Sequence, residues 1–173
     1  MKSVFLSAGH SEVDPGVVVG RRREADIAVE ARNMVGFYLA QANVVFETDG
    51  TGTANLPLKQ AAARARRHPI GLEFHCNGST NRLATGCEVL SAPDDVRLSA
   101  DVSRAISTSL NIRDRGAKPE NAGQHHRLAF VQAGGIIVEM FFLTNPLDLA
   151  QYDERKWLMA KSIADVIIKA CRS

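Results

Sequence analysis

Short β-branched runs and longer stretches of helical period take turns along this chain, and that alternation restricts its fold more than any other feature. Lys2 to Ala8 reads as a strand closed by Gly9. From Glu24 to Ala42, the residues Ile27, Ala31, Met34, Val35 and Tyr38 fall at helical spacing. Asn43 to Thr48 is short and β-branched, and the turn cluster Asp49-Gly50-Thr51-Gly52 follows it. Leu56 to Arg67 reads as a helix, with Pro57 suited to its first turn and Pro69 ending it. Ile70 to His75 and Gly86 to Ser91 are the next two strand candidates. Asp94 to Asn111 is a predicted helix with Leu98, Val102, Ile106 and Leu110 on one side. Arg113 to Gln124 is polar, carries Pro119 and two glycines, and reads as a loop. His126 to Gln132 and Gly135 to Glu139 complete about six strands, and a last helix is predicted from about Asp153 to Cys171. The pattern predicts an α/β fold: one domain over residues 1–173, with a mostly parallel sheet covered by helices on both faces.

Composition sets the outer limits. A chain of 173 residues suits one domain and can bury a core without disulfide or metal staples. Basic residues number 21 and acidic residues 19, a net charge of +2, so no basic footprint points to nucleic acid. No apolar stretch approaches the roughly 18 residues of a membrane span. The N-terminus, with one positive charge and a short apolar run, does not read as a secretory signal, so synthesis in the cytoplasm is expected. Cys76, Cys87 and Cys171 are odd in number and lack Cys-x-x-Cys spacing; buried free thiols are expected.

The chemistry collects at the ends of the apolar runs. Val4 to Ala8 leads to Gly9-His10, Ile70 to Phe74 leads to His75, and Gly135 to Val138 leads to Glu139. In an open α/β sheet, ligands bind beyond the carboxyl ends of the strands, so these side chains are expected along one rim. Glu24 opens the first helix at the same rim. Two histidines and a carboxylate bind zinc and leave a position for water or substrate, and a second carboxylate nearby can serve as general base. Each residue has a plainer alternative: a turn histidine, or a glutamate facing a helix dipole. Glu139 resists that alternative, because Ile-Ile-Val-Glu-Met-Phe-Phe-Leu sets one carboxylate among apolar neighbours, which is costly without a partner or a cation.

These motifs carry a resemblance over nearly the whole chain. Gly9-His10-Ser11-Glu12-Val13-Asp14-Pro15-Gly16 resembles the opening Gly-His-Gly-Gly-x-Asp-x-Gly of the zinc-dependent N-acetylmuramoyl-L-alanine amidases of the amidase-3 family. Glu24 resembles that family's metal-binding Glu, His75-Cys76-Asn77 its His-x-Asn, and Gly86-Cys87-Glu88 the Gly-x-Glu that follows. Arg115-Gly116-Ala117-Lys118 and Glu139-Met140-Phe141-Phe142-Leu143-Thr144-Asn145 resemble its Arg-Gly-x-Lys and Glu-x-Gly-Phe-Leu-Ser-Asn. Departures are Ser11 and Glu12 for two glycines, Phe141 for a glycine, Glu73 for a small polar residue, and Asp49 for a frequent Arg. The resemblance implies one zinc ion (Zn2+) held by His10, Glu24 and His75, with Glu139 as catalytic base. It implies peptidoglycan as substrate, cut at the amide between the lactyl group of N-acetylmuramic acid and L-alanine.

Other residues carry weaker signals. His125-His126 reads as groove wall or surface, Glu88 as a structural or supporting carboxylate, Arg21-Arg22-Arg23 as a solvated basic turn, and Asp14 as a turn former. Two other functions share the fold: a non-catalytic wall-binding or regulatory domain, and a zinc hydrolase of other small amides. No separate wall-binding domain is expected; the sequence leaves the oligomeric state open, with a monomer favoured. The absent export signal fits a phage endolysin released to the wall at lysis, or a bacterial wall enzyme exported by another route.

Overall fold

The computed structural model describes residues 2–122 and 128–173. In chain order the elements are β1 (Val4–Ala8), β2 (Val18–Val19), β3 (Arg22–Arg23), α1 (Glu24–Gln41), β4 (Phe46–Thr48), α2 (Leu58–Ala65), β5 (Ile70–Asn77), β6 (Cys87–Ser91), α3 (Val96–Leu110), β7 (Asp114–Pro119), β8 (Ile136–Phe142) and α4 (Pro146–Arg172). Six strands form one sheet in the order β4-β1-β5-β8-β6-β7, while β2 and β3 make a small hairpin. Neighbours pair in parallel except β6 with β8, so the sheet is mostly parallel, as expected.

Strand alternation gives the sheet two unlike faces. Val4, Leu6, Leu72, Phe74, Cys76, Val89, Ile136 and Val138 face the large core shared with α1, α3 and α4. Burying such side chains fully is worth about 1.5–3 kcal/mol each, and this face is the main source of stability. α4 packs on both α1 and α3. On the opposite face, Phe5, Leu90 and Ile137 pack with Ala61, Ala62 and Ala65 of α2 and with Phe130 and Val131. Helices therefore cover both faces: among the described residues α1, α3 and α4 lie on one and the short α2 on the other. Along β1, β5 and β8 this second face turns polar toward the carboxyl ends, where Ser7, Glu73, His75 and Glu139 stand.

Three expectations are corrected. Residues 114–119 form the edge strand β7, paired in parallel with β6, where a loop was expected. An edge strand pairs on one side only and tolerates the polar residues and terminal Pro119 that make it look like a loop. From residue 128, the predicted strand His126–Gln132 is turn and 3-10 helix that seats Phe130 and Val131 on α2's side of the sheet. α4 begins at Pro146, ahead of the predicted Asp153, because the Asn145 side chain caps it by accepting from the N–H groups of Leu147 (2.8 Å) and Asp148 (3.3 Å). Its Ala160, Ala164, Ile167 and Cys171 are buried as their spacing implies, whereas Trp157 is half exposed against Phe37 and Tyr38. All three cysteines are buried free thiols.

Candidate active site

The first site residue leaves β1 at its carboxyl end. The Gly9 N–H donates to the Phe74 carbonyl (2.9 Å), keeping the chain beside β5 for one more residue before it turns at His10. A side chain at Gly9 would collide with the His75 ring. His10 itself has φ 62°, a left-handed backbone that a non-glycine residue holds only when its surroundings enforce it. The enforcement comes from Asn55, whose amide donates to the carbonyls of Ala8 and His10, and from Ser11 N–H on the Asp14 carbonyl (2.8 Å). The His10 ring then lies between two carboxylates, with Nδ1 3.2 Å from Asp14 Oδ2 and Nε2 3.0 Å from Glu24 Oε1.

Glu24 is the first residue of α1, delivered by the β2–β3 hairpin. It is buried, and both oxygens are tied to backbone: Oε2 accepts from Val17 N–H (2.9 Å) and Oε1 from Cys76 N–H (3.0 Å). The Oε1 atom also meets Nδ1 of His75 at 3.0 Å. Gly16, at φ 66°, lets the chain pass where a Cβ would touch Glu24 and His10. His75 projects from β5 onto the polar face while Cys76 enters the core, so the adjacent thiol is not its partner. One donor atom from each of His10, Glu24 and His75 lies within 4.8 Å of the others, which suits a single ion.

Electrostatics favours a cation here. The hydrogen bond to Glu24 raises the His10 pKa against the opposing effect of burial. Burial alone would lower the His75 pKa, but Glu24 and Glu73 outweigh it and raise it well above the usual value. Burial likewise works to raise Glu24, yet the two histidines hold its carboxyl far below the ordinary range. A pocket negative enough to draw protons onto two imidazoles suits a metal ion in their place. The chemistry of the donors agrees: two imidazoles and one carboxylate form a zinc-type set, and the second nitrogen of each ring is held by a carboxylate, Asp14 or Glu73.

Glu139 stands beside this set. It pairs in register with His75 on one side and with Glu88 on the other, so three strands bring the three side chains into a row. Its Oε2 is buried and has no hydrogen-bond partner among the described residues. Burial, aided by the charges of Glu24 and Glu88, pushes its pKa up to about 7. His10, Glu24, His75, Glu139, Asn77 and Glu88 line a cleft of about 910 Å³. A side compartment of about 490 Å³ shares His10 and His75 and is walled by Leu56, Leu58, Phe130 and Ile137.

The structure thus gathers His10, Glu24, His75 and Glu139 as the strand-end pattern predicts. Glu88 accepts from the Asn77 amide (2.8 Å) and from Arg115 Nε (2.9 Å). Arg22 and Arg23 pair with Asp153 and Asp26. Asp14, expected only to form a turn, also orients His10, and Glu73 contacts His75; the two-residue spacing of Glu73 from His75 was the available signal. His125 and His126 lie outside the described residues.

Comparisons with known proteins point the same way. Residues 4–169 match the family model described as N-acetylmuramoyl-L-alanine amidase, amidase-3. The crystal structure of a Neisseria meningitidis protein assigned as such an amidase is 43% identical, with TM-score 0.90 over 98% of this chain and 95% of that one. The catalytic domain of CwlV from Paenibacillus polymyxa has TM-score 0.85 at 20% identity, over 98% of each chain, and so shares the fold. The uncharacterised protein YqiI of Bacillus subtilis is 26% identical over 99% of this chain and 84% of its own length.

Proposed function

The chain belongs to the amidase-3 family of N-acetylmuramoyl-L-alanine amidases, and on that premise we propose that it is a zinc-dependent hydrolase of the bond between N-acetylmuramic acid and L-alanine in peptidoglycan. The observation that carries the reading is the placement beside the donors His10, Glu24 and His75 of a buried Glu139 oxygen that has no hydrogen-bond partner among the described residues. One zinc ion held by those three residues would supply Lewis acidity, polarising the scissile carbonyl and acidifying water.

The protein's own groups supply the rest. Glu139 accepts the proton of the attacking water as its oxygen adds to the lactyl carbonyl carbon. The same carboxyl group then returns that proton to the alanine nitrogen as the C–N bond breaks. The products are a lactyl carboxylate on the glycan and a free amino terminus on the stem peptide, so one water is consumed. Glu88 is already engaged by Asn77 and Arg115, which leaves Glu139 as the carboxylate free to move a proton. The cleft and the side compartment next to it, walled in part by Leu56, Leu58, Phe130 and Ile137, leave room for substrate on two sides of the site.

Mass spectrometry of purified peptidoglycan digested by the zinc-loaded protein tests this. Intact stem peptides with free L-alanine termini and glycans with free lactyl groups are expected. Cleavage within the peptide or the glycan would overturn the assignment of the bond.

A further inference from the structure

We propose that Glu73 is a positioning residue for the metal centre, holding His75 with its proton on Nε2 so that Nδ1 keeps its lone pair for the cation. The proposal rests on the zinc reading of His10, Glu24 and His75. Glu73 and His75 are two residues apart on β5, so strand alternation brings both side chains to one face, with Oε1 3.1 Å from Nε2. A neutral imidazole carries one proton and an ionised carboxylate only accepts. With the cation on Nδ1, the nitrogen that faces Glu24 3.0 Å away, the ring's one proton stands on Nε2, where Glu73 accepts it. A carboxylate behind a ligating histidine fixes the ring and strengthens it as a donor.

The surroundings leave Glu73 little else to do. It is buried, and its second oxygen faces the Ser7 hydroxyl at 3.4 Å. That hydroxyl has one proton, and Asp49 Oδ2 is the nearer acceptor at 2.9 Å, also receiving the Ala8 N–H at 2.9 Å. Asp49 is neutralised by the buried Arg32 at 2.7 Å, whose other bonds go to the Asn33 side-chain oxygen and to the Ala54 and Gly52 carbonyls. Arg32 is thus committed to Asp49, and Ser7 stands between two carboxylates. His75 is the basic group in ion-pair contact with Glu73 among the described residues. A buried carboxylate is costly without a positive partner, and a dication on Nδ1 makes the Nε2–H more positive. Glu73 therefore holds the ring through that proton and strengthens Nδ1 as a donor to the ion.

The test is zinc affinity of the full chain, measured by competition with a chromogenic chelator, with circular dichroism and thermal unfolding as checks of the fold. Glu73→Gln keeps the shape and an acceptor but removes the charge, whereas Glu73→Ser removes the contact. The expected loss of affinity is about 10-fold for Glu73→Gln and up to about 100-fold for Glu73→Ser. In 15N-edited NMR of the zinc-loaded protein, the His75 Nε2–H signal persists in the wild type and in Glu73→Gln and exchanges away in Glu73→Ser. Zinc affinity within about twofold of wild type in a folded Glu73→Gln protein overturns the proposal. If Glu73→Ser does not fold, Glu73→Gln alone decides. A wild-type chain that binds no zinc instead overturns the metal reading on which the proposal stands.

Discussion

A carboxylate in the middle of β8 costs the fold stability that an apolar side chain would supply there, and Glu139 is kept in spite of that cost. Its Oε2 is buried without a hydrogen-bond partner among the described residues, the condition of a group that works on a substrate rather than on the fold. Glu139→Gln is expected to lower hydrolysis by about 10²- to 10⁴-fold, the usual contribution of a general base, with zinc content unchanged by elemental analysis. Retained activity would remove Glu139 from the reaction. His75→Ala acts differently: zinc is lost first and activity with it, so an unchanged zinc content would break the ligand assignment. A base works only when ionised. Burial lifts Glu139 to about 7, and a bound cation draws that value lower. The rate should fall about tenfold per pH unit on the acid side of the midpoint while zinc stays bound. A rate that falls only in step with zinc release would show that Glu139 is not the titrating base.

Among the elements, α4 offers the plainest test of local coding. Asn145 caps it and also donates from its amide to the Ala84 carbonyl (3.1 Å), tying the helix start to the loop before β6. Asn145→Ala should destabilise the protein by about 0.5–2 kcal/mol in urea unfolding, toward the upper end because the bond to Ala84 is lost along with the two cap bonds. No change in midpoint would mean that Pro146 sets the helix start alone. The Asn-Pro pair was a readable signal, but helical periodicity fades there because Leu147 is exposed. The alternation of strands and helices was legible because most strands carry an unbroken apolar set to the large core. β7 was not, since Arg115, Lys118 and Pro119 lie on an edge strand whose existence depends on its ladder with β6. Phe130 and Val131 looked like strand residues because burial, not backbone pairing, selected them. His10, Glu24, His75 and Glu139 could be found because strand ends share one rim. Asp14 and Glu73 were harder to assign because their roles depend on which way two rings turn.

At the scale of the whole molecule, α1, β1 and β5 converge on the proposed ion site, with β8 beside it, so metal binding there would draw on the global fold. Zinc at 100 times its dissociation constant should stabilise the native state by about 2.7 kcal/mol, seen as a higher Tm that a chelator reverses. A Tm indifferent to both zinc and chelator would contradict a site assembled from these elements. The row of His75, Glu139 and Glu88 across β5, β8 and β6 has a further consequence. Adjacent strands sit about 4.7–4.9 Å apart, and residues advance by about 3.3 Å along each. The sheet is therefore a ruler with coarse divisions: the distance from His75 to Glu139 can change only in whole steps, each of which would also turn a strand's apolar side outward. Specificity in such an enzyme can drift freely in the loops, while the spacing of its chemistry is held as firmly as the core.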